Sequence, residues 1–86
     1  MKIEKTDDYY IYYVVSKNIK YFRKNSKNAM TQQKLAELSG LSHSLIANIE
    51  SEKVQQIFSI EALYRIAKTL EVDIKDLLIE HSEIDY

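Results

Sequence analysis

The chain has 86 residues, 45% of them hydrophobic and 29% charged, with a net charge of -1 and no cysteine. A chain of that size makes one folding unit with a modest core, and its composition is that of an ordinary globular domain rather than a disordered or membrane segment. Without cysteine there is neither a disulfide framework nor a thiolate metal site, and the opening MKIEKTDD lacks the apolar run of a signal peptide, so a cytoplasmic location with no membrane contact is expected.

No proline and a single glycine argue against turn-rich β architectures, while Ala, Leu, Glu, Lys and Gln favour helices. No repeat or linker divides the chain, so it reads as one all-α domain of five helices over residues 1–86, with short tails at 1–8 and 80–86. Ile11, Val15, Ile19 and Phe22 recur at helical spacing and predict a first helix over 9–25. Its start, DDYYIYYVV, carries strand-favouring residues and four of the seven tyrosines (Tyr9, Tyr10, Tyr12, Tyr13). These either pack on Ile79, Ile84 and Tyr86 or meet a partner. KNSKNA then breaks the helix.

Thr31 is placed to cap a second, short helix with Leu35, Ala36 and Leu38 inward, closed by Gly40 in the left-handed conformation. Ser42 caps a third with Leu45, Ile46 and Ile49 on one side. Closing helices follow over 59–79: Ser59 caps one with Leu63, Ile66, Ala67 and Leu70 inward, and Asp73 caps the last, with Ile74, Leu77 and Leu78 inward. EHSEIDY is left as a tail that frays or covers a partner.

Charge is segregated. Lys17, Lys20, Arg23, Lys24, Lys27 and Lys34 stand in a stretch without an acid, whereas ten acids oppose four bases from Glu37 onward. The near-neutral total therefore conceals one basic face, suited to a polyanion.

Residues 31–51 carry the sharpest pattern. Two short helices crossing closely need a small residue at the crossing, which Ala36 supplies. The tight turn needs positive φ, which the chain's one glycine, Gly40, supplies, and the second helix needs branched residues to clamp it, which Ile46 and Ile49 supply. Together these read as a helix-turn-helix. Neither His43 nor His81 has a carboxylate or second ligand at triad or metal spacing, so no catalysis, metal or cofactor is expected.

The pieces IKYFR, MTQQKLAELSGLSHSLIANIE and SIEALYRIAKTLEVDIKDLL resemble the XRE family, the helix-turn-helix proteins similar to lambda Cro and the phage repressors. The resemblance covers about Val15 to Leu78. It departs in the loop KNSKNA, about two residues longer than usual, and at Ser51-Glu52, where the family commonly has a glycine.

The resemblance implies a five-helix bundle that binds double-stranded DNA as a homodimer, a transcriptional regulator of repressor type, with the third helix in the major groove. It also implies an Arg23–Glu50 ion pair tying the first helix to the third. The outward face of the third helix would then place His43, Ser44, Ala47 and Asn48 at base edges. Gln32, Gln33, Ser42, Ser51 and Lys53 would meet phosphates. Two other readings share parts of this pattern. A DNA-binding antitoxin would add a protein partner at the tyrosine-rich N-terminus or the tail, and a protein-interaction module would bind no DNA.

Overall fold

In the computed structural model, which describes residues 3–51, 53 and 56–86, five α-helices follow one another: α1 (Tyr10–Lys24), α2 (Gln32–Ser39), α3 (His43–Glu50), α4 (Ile60–Leu70) and α5 (Ile74–Leu78). Among the described residues there is no strand. Each helix contributes one branched aliphatic with no exposed surface: Ile19, Leu35, Ile46, Ile66 and Leu77. Burying a side chain of that kind is worth about 1.5–3 kcal/mol, so the core is built from five comparable contributions rather than one dominant contact. α1 packs on α3 and α5, α2 lies against α3 and α4, and α4 closes on α5.

The tyrosine-rich segment is helical despite its strand preference, because tertiary contacts outweigh propensity. Val14 and Val15 enter the interior, the Tyr12 ring meets Phe58 edge-on at 5.1 Å, and the Tyr13 hydroxyl donates to the Tyr86 carbonyl oxygen. The helix starts at Tyr10, where the Asp7 carboxylate has already accepted the Tyr9 N–H at 2.8 Å.

Three expectations are corrected. Leu38 is 56% exposed; Ser39 completes the inward stripe of α2 instead, its hydroxyl donating to the Leu35 carbonyl oxygen at 2.7 Å. Leu78 is 38% exposed, because α5 ends there after one turn and only Leu77 reaches the interior. Asp73 occupies the cap position of α5, but its side chain accepts no capping hydrogen bond.

Residues 80–86 do not fray. They fold back along α1 around the fully buried Asn18, whose amide donates to the carbonyl oxygens of Leu77 and Ile79 at 2.9 and 2.8 Å and whose oxygen accepts from the Tyr86 hydroxyl. His81 meets the Phe22 ring edge-on at 5.4 Å and places Nε2 2.6 Å from the Asp76 carbonyl oxygen, a contact that requires the proton on Nε2. Burial raises the phenol of Tyr86, and burial, then Glu80, raises that of Tyr10.

One strained position offers a direct test. Glu71 ends α4 at φ 59, a left-handed conformation that suits glycine and costs a residue with a Cβ about 1–2 kcal/mol. Glu71→Gly gives part of that relief back to unfolded-chain entropy. A net gain of about 0.5–1 kcal/mol in denaturant unfolding is the expected result.

Candidate nucleic-acid interface

The two helices of the motif are set by their ends. The Thr31 hydroxyl accepts the Lys34 N–H at 3.0 Å, and the Ser42 hydroxyl accepts the Leu45 N–H at 3.1 Å, each satisfying a donor that the first helical turn leaves unpaired. Between them Gly40 adopts φ 73, and the Leu41 N–H returns to the Ala36 carbonyl oxygen at 3.0 Å, closing the turn. A Cβ at Gly40 would meet the Arg65 guanidinium at 3.1 Å, so both backbone and space favour glycine. Ala36 is buried where α2 and α3 meet, and Ile46 and Ile49 hold the inner side of α3.

The end of α3 is anchored by charge. Arg23 Nε and Nη2 donate to Glu50 Oε2 and Oε1 at 2.7 and 2.8 Å, a two-pronged pair whose side chains are only 10% and 1% exposed. Arg23 Nη1 also donates to the Met30 carbonyl oxygen at 2.8 Å, tying the longer 25–30 loop to the same guanidinium. The hydrogen bond to Glu50 raises the guanidinium above its ordinary value. A carboxylate at a helix C-terminus faces the negative end of the helix dipole, and the fork of Arg23 offsets that.

With its inner face held in this way, α3 turns His43 and Ser44 fully outward, with Ala47 and Asn48 half-exposed one turn further on. No hydrogen bond or ion pair within the described residues occupies the side chain of His43, Ser44 or Asn48. Gln33 and Lys53 are exposed beside this face. Ser42 is exposed with its oxygen engaged as the cap, and Ser51 is half-buried with its oxygen accepting the Lys53 N–H at 3.2 Å, so each hydroxyl keeps its proton to donate. Gln32 differs from a freely presented contact, because its Nε2 donates to Glu50 Oε1 at 3.1 Å. The sequence carries no signal for that bond, since its partners lie 18 residues apart on different helices. Glu52, at the position of the family glycine, lies outside the described residues.

Among the described residues no group of three or more His, Asp or Glu stands together to hold a metal, and no helix is long and apolar enough to cross a membrane. Fold and motif together define a helix-turn-helix DNA-binding transcription regulator. The family model described as HTH_3, helix-turn-helix, matches residues 19–77, and the chain belongs to that family. No curated protein matches the sequence.

Among solved structures the chain is similar to SinR of Bacillus subtilis, the master regulator for biofilm formation, in complex with DNA: 29% identity over 76% of this chain and 98% of that one, with a TM-score of 0.67. A hypothetical transcription factor, NHTF, from Neisseria shares the fold at 23% identity, covering 96% of this chain and 91% of its own, with a TM-score of 0.75. The restriction-modification controller C.AhdI from Aeromonas hydrophila shares it at 23% identity over 77% and 94%, with a TM-score of 0.66.

Proposed function

We propose that the chain is a cytoplasmic repressor that binds a two-fold DNA operator as a homodimer, acting by occupancy rather than catalysis. α3 enters the major groove with His43, Ser44, Ala47 and Asn48 at base edges, and Gln32, Gln33, Ser42, Ser51 and Lys53 meet phosphates on either side. The observation that carries this reading is an outward row of short, uncharged side chains on a helix whose opposite side is locked by Ile46, Ile49 and the buried Glu50. Short side chains let a helix approach base edges closely, and a locked helix makes the approach specific. The likeness to SinR, solved on DNA, supports the same docking.

The dimer reading rests on surface that one copy leaves uncovered. Ile57 and Ile60 flank the Ser59 cap at 53% and 76% exposure, and Tyr64, one turn beyond Ile60, is 53% exposed. That apolar run follows directly on the segment leaving α3, where a two-fold contact can place two copies of α3 on one side of a duplex. Because Tyr12 and Tyr13 are engaged within the chain, α4 is the better candidate surface than the tyrosine-rich start of α1.

Selection of bound duplex from a random pool tests the function. The expected outcome is a two-fold symmetric site with half-site centres about 34 Å apart. A pool that never enriches would reject specific binding. Sedimentation tests the assembly: the parent chain runs as a dimer and Ile60→Lys/Tyr64→Lys as a monomer that has lost more than about tenfold in site affinity. A parent that stays monomeric both alone and on its selected site would reject the homodimer.

A further inference from the structure

Three helices meet at one carboxylate. Glu50, the last residue of α3, takes both prongs of Arg23 from α1 and also the Gln32 amide from the first position of α2. The Arg23 fork already neutralises the charge and fills the in-plane sites of both oxygens, so the further donor from Gln32 adds little to charge balance. Its contribution is geometric. α3 spans His43–Glu50, about two turns, so a rotation at Glu50 is carried along the whole helix to Ala47 and Asn48. Gln32 is half-exposed, and its Nε2 carries two hydrogens, one committed to Glu50 and one left for the outer side.

We infer that Gln32 is a positioning residue that acts through Glu50: it sets the rotation of α3 about its own axis and thereby couples the start of α2 to the base-reading face. The inference rests on the reading of α3 as the DNA-binding helix. A phosphate accepting the second amide hydrogen polarises and orients the bond to Glu50, so backbone contact and base reading are linked through one side chain. Its loss therefore impairs discrimination between sequences more than attraction to DNA in general.

Truncating Glu50 would strand Arg23 and unfold the domain, so the test is made at Gln32. Gln32→Met in the full chain keeps the length of the side chain and the helix preference and removes both amide bonds. Binding to the pool-selected site is expected to weaken about tenfold while random duplex of equal length stays within about twofold. In the protein without DNA, the backbone amide resonances of Ala47 and Asn48 are expected to shift while those of α5 stay in place. Equal weakening on selected and random duplex with the α3 resonances unmoved would make Gln32 a phosphate contact and nothing more, and overturn the inference; so would no change in either measurement. The resonance comparison needs no DNA. Failure of the parent chain to retain any duplex therefore counts against the DNA-binding reading, while unmoved α3 resonances count against the Gln32–Glu50 coupling.

Discussion

Arg23→Ala is expected to lower stability by about 3–5 kcal/mol, because it leaves the Glu50 carboxylate, 1% exposed, without its cation. Domains of this size hold about 0.05–0.15 kcal/mol per residue, so such a loss removes a large part of the whole. With a denaturant slope of about 1 kcal/mol per molar urea, the unfolding midpoint moves down by about 3 M or the chain no longer folds. The damage is not confined to the pair. The Met30 carbonyl oxygen loses its donor at the same stroke, and with it the tether of the 25–30 loop to α1.

Removing both charges separates burial from attraction. Arg23→Met/Glu50→Met strands neither group, and it is expected to recover most of the loss, because desolvating an ion pair consumes much of its Coulombic gain. If Arg23→Ala unfolds within error of the parent, the pair contributes nothing and the anchoring of α3 needs another cause.

The parts of this architecture that were legible in the sequence are those fixed within a few residues. Thr31, Ser42 and Ser59 each accept an N–H three residues ahead, a bond whose partners are given by helical geometry alone. Gly40 could be placed because only positive φ closes so short a turn. The Arg23–Glu50 pair spans 27 residues, and it was accessible only through resemblance to a family that shares it.

What pattern could not supply was longer-ranged or degenerate. Asn18 gives no signal of its burial, because its partners Leu77, Ile79 and Tyr86 lie 59 to 68 residues away. The same distance hid the return of 80–86 onto α1, which reads as a loose polar end when its docking surface is unknown. Leu38 and Ser39 are adjacent on a helix of eight residues, and hydrophobicity pointed to the wrong one. Ser39 can be buried only because its hydroxyl finds the Leu35 carbonyl oxygen, a compensation that polarity scales do not contain.

Asn48 and Lys53 should fail in different ways when removed. Asn48 is half-buried on the outward side of α3, with Ala47 beside it and no partner within the chain, so its amide is available for the paired donor and acceptor of an adenine edge. Asn48→Ala is expected to cost about 1–3 kcal/mol on the selected site and little on random duplex, relaxing preference at one base pair in each half-site. Lys53 is exposed just beyond α3, and its ammonium can meet any phosphate. Lys53→Ala is expected to weaken all sequences alike and to reduce the slope of log affinity against log salt by about one per subunit, since one fewer counterion is released on binding. Binding curves on selected and random duplexes across a salt series separate the two. If Asn48→Ala lowers both affinities equally while unfolding as the parent does, Asn48 positions the helix on the backbone, and the base-reading face must be reassigned to His43 and Ser44.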